Sequence, residues 1–360
     1  MKLNVQINRK VVSYPIIIGN ENFCKLAKKI VPDHKFIIFT DTGTNKALSG
    51  FISKTKKDLK AEIIEIKSGE ASKNLKTAEK IYSQLLELKA GRDSCLITIG
   101  GGVVGDLGGF IASTYLRGIP LIHVPTTLLA MVDSSIGGKT GLDNEFGKNL
   151  IGSTFHPKLI YMNPELLKTL PQEELVNGMA EVIKTAAIKD EKLFSFIEKN
   201  IGKILEKDKE SLERVITDSV KIKKEVIEND EKESHERMIL NFGHTIGHSI
   251  EKYHLYNLSH GKSISIGMAV ECNIAELKGT LSKTDSQKLK NLLKKTGLPV
   301  KFSDPADKII LGTSSDKKNR KGKSRYVLLE KIGKTYSKAS DYAFEIDEDI
   351  IRKALENARN

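Results

Sequence analysis

The rhythm of apolar and polar residues changes about half-way along this chain of 360 residues. Over the first half, short β-branched and apolar runs recur: Val11–Ile18, Phe36–Thr40, Ala61–Ile66, Cys95–Ile99 and Leu121–Val124, most followed by turn residues. Helical periods lie between them, such as Thr77–Leu88, which brings Ala78, Ile81, Leu85 and Leu88 onto one face. Strands alternating with helices predict a mostly parallel sheet covered on both faces. From Pro171 onward the periods are long and helical, with Tyr326–Leu329 the one stretch that reads as a short strand. The expected fold class is therefore α/β plus all-α. A Rossmann-like α/β domain is expected over residues 1–170 and a mainly helical domain over 171–360, with no internal repeat and no low-complexity linker. So long a chain exceeds one ordinary core.

Composition narrows the function. The net charge of +12 raises nucleic-acid binding, but there is no tryptophan, aromatics make up 6%, and no stretch interleaves them with Lys and Arg for base stacking. Much of the lysine lies in mixed-charge helical sequence such as Lys203–Arg237, expected to be a solvated face. A small anionic substrate accounts for the charge better. No apolar run approaches the ~20 residues needed to span a bilayer. Residues 1–10 alternate like a strand and lack the apolar centre of a signal peptide. Three scattered cysteines with no C-x-x-C give neither a disulfide framework nor a thiolate metal site. A cytoplasmic protein is expected, with no nucleic-acid or membrane partner.

Four of the eight histidines, His244, His248, His254 and His260, fall close together. His244 and His248 are four apart, so a helix projects both from one face. Two readings stay open: polar side chains facing water, or ligands for a zinc-like ion. Gly243, Gly247 and Gly261 favour the second, since a helix that keeps glycines beside histidines is expected to let something approach its backbone.

Strand Cys95–Ile99 runs into Gly100-Gly101-Gly102-Val103-Val104-Gly105-Asp106, a G-x-G-x-x-G in the context that holds a pyrophosphate on backbone amides. It is not the first βα turn, and no acid lies ~20 residues on to take a ribose hydroxyl. Asp41 and Glu70 are the candidates for that task. Residues 124–141, with Asp133 and Lys139, and then Gly147-Lys148-Asn149, place charges in a segment apolar enough to be buried. Buried charges persist only if paired or functional. Glu181 and Lys184 are three apart in a helical period with apolar flanks, and Glu181 could supply an oxygen ligand beside the histidines.

Read together, these segments resemble the 3-dehydroquinate synthases, the second enzyme of the shikimate pathway, leading to chorismate and the aromatic amino acids. The likeness spans nearly the whole chain. It rests on Ser-Gly-Glu-Ala-Ser-Lys at 68–73, Gly-Gly-Val-Val-Gly-Asp at 101–106, Thr-Tyr-Leu-Arg-Gly at 114–118, Val-Pro-Thr-Thr at 124–127 and Val-Asp-Ser-Ser-Ile-Gly-Gly-Lys at 132–139. Ala-Glu-Val-Ile-Lys at 180–184, Leu-Asn-Phe-Gly-His-Thr-Ile-Gly-His at 240–248 and Asp-Lys-Lys at 316–318 complete it.

The resemblance implies one divalent metal ion, zinc or cobalt, on Glu181, His244 and His260. It implies NAD contacts from Asp41, from the turn Ser68, Gly69, Glu70, Ala71, Ser72 and Lys73, and from Gly101, Gly102, Val103, Val104, Gly105 and Asp106. Further NAD contacts would come from Thr126, Thr127, Lys139 and Lys148, and from Leu166, Leu167, Lys168 and Thr169. Substrate and chemistry would fall to Asp133, Lys139, Asn149, Lys184, Lys223, Arg237, Asn241, His248 and Lys317. Arg117 would reach the neighbouring subunit's substrate phosphate, which implies a homodimer. Two positions depart from the family pattern: Lys262 stands where a Glu is usual after the third histidine, and His235 where a Gly is usual before Arg237.

The substrate so implied, 3-deoxy-D-arabino-heptulosonate 7-phosphate, carries a carboxylate and a phosphate and suits a pocket lined by Arg and Lys. The implied course is transient oxidation at C5 by NAD, loss of phosphate, re-reduction, ring opening and aldol closure, with His248 as the candidate for proton movement. Another sugar-phosphate cyclase of the deoxyinosose or valiolone type, or a metal-dependent polyol dehydrogenase, is the rival reading.

Overall fold

The computed structural model describes residues 12–314 and 324–359. It divides into two compact units: residues through Pro125 together with Gly138–Met162, and Thr126–Gly137 together with the chain from Asn163 onward.

The first unit is built on six parallel strands, β1 (Ile16–Ile18), β2 (Lys35–Asp41), β3 (Glu62–Ile66), β4 (Ser94–Gly100), β5 (Leu121–Pro125) and β8 (Leu159–Met162), in the order β1-β8-β5-β4-β2-β3. β2 and β4 are near-continuous apolar runs because helices cover both faces of a parallel sheet. Helices α1 (Phe23–Ile30), α2 (Thr42–Ala47), α3 (Ser49–Leu59), α4 (Leu75–Glu87) and α5 (Gly102–Thr114) connect the strands. The core places Phe39 and Leu96 of the sheet against Leu107 and Ile111 of α5 and Ile81 and Leu85 of α4. Successive strands move outward from β2 to β3, then return across the sheet to β4 and onward to β5. The carboxyl ends of β2 and β4, paired through Thr40 and Ile99, thus lie at the topological switch point, where open α/β sheets bind ligands.

The second unit gathers α6 (Gln172–Lys189), α7 (Glu191–Leu205), α8 (Lys209–Asn229), α9 (His244–Tyr253), α10 (His260–Leu277), α11 (Lys283–Lys295), α12 (Ala306–Ser314) and α13 (Glu348–Asn357). Two short strands, β9 (Leu329–Lys331) and β10 (Lys334–Thr335), pair beside them. α6 is buried on every side from Asn177 to Ile188, and α10 from Ser263 to Ala275. A helix apolar all round belongs at the centre of a bundle. These two central helices also carry the buried polar groups Asn177, Glu181, Lys184 and Glu271. No helix among the described residues is long and apolar enough to cross a membrane.

Several expectations need correction. Residues 124–138 are largely buried, but 139–154 form an antiparallel hairpin, β6 (Lys139–Asn144) with β7 (Gly147–Thr154), in which Lys139 and Asn149 are exposed and Lys148 is half-buried. Its small residues and alternating exposure mark a ribbon with a wet face. By its contacts the chain from Asn163 packs with the helical unit, as does Thr126–Gly137. The 3₁₀ turn Pro164–Thr169 joins the helical unit because Lys207 Nζ donates to the carbonyls of Lys168 (3.2 Å) and Leu170 (2.5 Å). Tyr326 forms only a lone bridge to Phe344, and the regular strand starts at Leu329. The stretch 203–237 is not wholly solvated either, since Lys223 and Arg237 are buried.

Candidate active site

Three helices of the second unit aim polar side chains at one point. α6 delivers Glu181, α9 opens on His244 and α10 opens on His260. Glu181 Oε1 lies 3.2 Å from His244 Nε2 and 3.2 Å from His260 Nε2. One ligand atom from each of the three lies within 4.8 Å of the others, so the three side chains could hold one metal ion between them. The remaining nitrogens are turned away: His244 Nδ1 donates to the Phe242 carbonyl at 3.1 Å, and His260 Nδ1 meets Glu251 Oε1 at 3.1 Å. Two imidazoles and a carboxylate form a borderline nitrogen and oxygen set suited to zinc or cobalt.

The electrostatics favour a cation there. Burial would push Glu181 up, but the Lys184 ammonium, ion-paired to Oε2, and the bonds from His244 and His260 hold it well below the usual carboxylate range. Burial and the Lys184 charge drive His244 down to about 3, so its imidazole is neutral, the form that ligates metals. Burial would also lower His260, but the Glu181 and Glu251 carboxylates raise it to about 10. Carboxylates on both sides of one ring attract positive charge, as a proton or as a metal ion.

Beside this cluster, Lys223 of α8 donates to Asp133 Oδ1 (2.5 Å) and to the Asp133 carbonyl (2.6 Å). Asp133 sits in a π-helical turn, Ala130–Ser134, and feels the charges of both Glu181 and Lys184. Burial would raise Asp133, but Lys223 holds it below its ordinary value; Lys223 is in turn lowered by its own burial. Arg237 is buried against Gly137 and donates to the Glu231 carbonyl at 2.5 Å. Asn241 Nδ2 donates to Glu233 Oε1 at 2.8 Å. The His248 ring lies 5.1 Å from that of His244 and 6.0 Å from that of His260. Lys317 lies outside the described residues.

In the first unit, α5 starts at Gly102 directly after β4, and its N-cap, Gly101, offers no side chain to the first amides, which remain available to an anion. Asp41 ends β2 one strand away. Its Oδ1 caps Gly43 and Thr44 (3.0 Å each) and takes the Ser68 hydroxyl, while Oδ2 accepts Thr44 Oγ1 at 2.8 Å. Lys73 is buried among Glu70 (2.7 Å), Asp106 (3.4 Å) and Asp143 (3.5 Å). Burial lifts Asp106 to about 6 against the pull of Lys73. Lys148 of the hairpin lies close enough to help lower Glu70. Leu116 and Arg117 both take left-handed backbone angles (φ 50° and 67°), at a cost of about 1–2 kcal/mol each, and Arg117 is exposed.

Profiles described as 3-dehydroquinate synthase N-terminal and 3-dehydroquinate synthase C-terminal match residues 63–177 and 178–319. A 3-dehydroquinate synthase of Clostridium beijerinckii is 41% identical over 92% of this chain and 96% of its own. That of Thermodesulfovibrio yellowstonii is 40% identical over 98% and 99%. The chain belongs to the 3-dehydroquinate synthase family.

Among solved structures, the 2-epi-5-epi-valiolone synthase ValA from Streptomyces hygroscopicus subsp. jinggangensis 5008, with NAD+ and Zn2+ bound, superposes with a TM-score of 0.89 at 25% identity, covering 98% of each chain. A 2-deoxy-scyllo-inosose synthase complexed with carbaglucose-6-phosphate, NAD+ and Co2+ gives 0.86 at 25% identity, over 96% of this chain and 97% of that one.

Against that background, the residues drawn from the synthase pattern separate by unit. The structure gathers Glu181, Lys184, His244, His248, His260, Asp133 and Lys223 in the helical unit. Thr126 and Thr127 also belong to it, Thr126 buried and Thr127 Oγ1 accepting the Ala130 amide at 3.1 Å. Leu166 and Leu167 turn their side chains into the core, so only their backbone can serve a ligand, whereas Lys168 and Thr169 are exposed. Asp41, Ser68 to Lys73, Gly101 to Asp106, Arg117, Lys139, Lys148 and Asn149 fall in the sheet unit. Sequence reasoning missed Glu251, on the helical face of His244 and His248, and Asn177, a turn before Glu181. Helical spacing alone marks both.

Proposed function

We propose that this chain is a 3-dehydroquinate synthase, turning 3-deoxy-D-arabino-heptulosonate 7-phosphate into 3-dehydroquinate and phosphate. The observation that carries the reading is the convergence of Glu181, His244 and His260 beside Lys184, Asp133 and Lys223, in a chain of this family. The donor set fits a zinc or cobalt ion, and the uncapped amides of α5 at the switch point fit the pyrophosphate of NAD. When bound, the ion polarises the substrate's hydroxyls and NAD takes and returns a hydride, so NAD is regenerated each turnover.

The chain's own residues do the rest. Glu181, His244 and His260 would hold the ion and leave positions open for the sugar. Arg237 and Lys184 are assigned to the substrate's anionic groups, and Asn149, Asn241 and Lys317 to its orientation. Asp133 holds the Lys223 ammonium in place and opposes the lowering that its burial causes. His248 moves a proton at the reacting hydroxyl. Asp41 and the 68–73 turn would take the NAD ribose, with Thr126, Thr127, Lys139, Lys148 and residues 166–169 as its further contacts. Arg117 is assigned to a neighbouring subunit, in a cytoplasmic homodimer.

The test is to incubate the protein with the heptulosonate phosphate, NAD+ and zinc or cobalt. Phosphate and dehydroquinate are expected in equal amounts with no build-up of NADH. Net NADH would make the protein a dehydrogenase, and a different carbocycle would make it another cyclase.

A further inference from the structure

The imidazole of His260 is held from both sides. Its Nε2 faces Glu181 Oε1 at 3.2 Å, and its Nδ1 faces Glu251 Oε1 at 3.1 Å. Glu251 is buried and stands seven residues along α9 from His244, on the same helical face as His248. His248, Glu251 and His260 also lie close enough together to form a ligand set of their own. Both sets draw on His260, whose Nε2 faces Glu181 and whose Nδ1 faces Glu251. The two ring nitrogens direct their lone pairs apart, so one ion cannot bond Nε2 and sit against Glu251 as well. A neutral imidazole carries one N–H, and a carboxylate can only accept it.

We infer that Glu251 is a positioning residue: it takes the Nδ1–H of His260, fixing the tautomer whose Nε2 lone pair points to Glu181 and His244. A carboxylate behind a ligating histidine aligns the ring and raises its basicity, and its loss typically costs 10–100-fold in metal affinity. Glu251 thereby ties the far end of α9 to the first residue of α10, while the near end of α9 supplies His244. The two histidine ligands thus come from two helices that share this one bond. The inference rests on the metal-dependent reading given above and adds a residue to it.

The test measures cobalt binding to the full chain by chelator competition, together with the visible absorption of the bound ion. Thermal melts of the metal-free protein check that each variant folds. Glu251→Ala is expected to bind cobalt about 10–100-fold more weakly than wild type. Glu251→Gln keeps an acceptor oxygen of the same reach and is expected to recover most of that loss. At saturating cobalt both variants should keep the wild-type band shape, because the ligand set is unchanged. Wild-type affinity in Glu251→Ala overturns the inference. A changed band shape overturns it too, since it would make Glu251 a ligand. Wild type that binds no cobalt at all would sink the metal-dependent reading and this inference together, an outcome distinct from the other two.

Discussion

The Asn177 side-chain carbonyl accepts the backbone amide of Gly261 at 2.5 Å, joining α6 to α10 one turn before Glu181 and one residue after His260. This bond sets how far Glu181 stands from the His260 ring. It also leaves no room at Gly261, where a β-carbon would meet Asn177 Oδ1 at 2.7 Å and its Cα at 2.8 Å. Gly261→Ala should therefore push the two helices apart and weaken metal binding about 10–100-fold, as loss of a ligand's support does. Metal retained after dialysis against a graded chelator series measures it. Unchanged retention would show that the crossing tolerates a methyl group.

The glycines around the histidines show what the sequence made legible and what it hid. Their presence signals a close approach to the backbone, and that approach exists. The approaching group is another helix: a β-carbon at Gly243 would strike Met268 Cγ at 2.6 Å, and one at Gly247 would strike Ile264 Cα at 2.9 Å. Periodicity read from one segment cannot tell a ligand from a neighbouring helix, because the partner lies elsewhere in the chain. The parallel strands were legible for the converse reason, since their burial on both faces is written locally as apolar runs. The hairpin of Lys139–Asn144 with Gly147–Thr154 was not, because its strands pack one face only and are rich in Gly, Thr and Asn.

Lys262, where the family pattern has an acid, reaches Glu173 Oε1 at 3.4 Å, and both side chains are substantially exposed at 38% and 85%. Its ammonium is therefore solvated and paired with an exposed acid. An exposed pair is worth about 0–1 kcal/mol and is screened by salt. Lys262→Glu should shift metal affinity by less than about tenfold, measured by the same chelator competition. A larger gain would mean that the charge at this position acts on the ion.

Asp230 supports the loop that carries Arg237. Burial alone would raise its carboxyl, but the backbone amides of Ser234, His235 and Arg237 and the Ser234 hydroxyl bring it down to about 2. A depressed carboxylate contributes stability that is complete above its unfolded value near 3.8 and is lost as pH falls through about 2. Asp230→Asn should therefore destabilise the protein at pH 7 by about 1.5–3 kcal/mol, the scale of hydrogen bonds to a charged group. The gap from wild type should narrow steadily below about pH 4. Denaturant melts of both proteins across that range test the sign; a gap that stays constant would show that the charge of Asp230 contributes nothing.

The last expectation separates the two histidines of α9. A pair four residues apart can share one ion, and spacing alone would assign both to it. The structure turns His244 Nε2 toward Glu181, while His248 belongs to the overlapping set with Glu251 and His260. Three protein ligands suffice for a catalytic zinc, and a fourth would close the position the sugar hydroxyls need. His248→Ala should keep stoichiometric metal and lose turnover by about 10²-fold or more, the scale of a proton-transfer group. His260→Ala should lose the metal itself, because Glu181 and His244 alone make too small a set. Metal content of the two purified variants, measured beside turnover, decides between these roles. Equal loss of metal in both would return His248 to the ligand set and remove it from proton transfer.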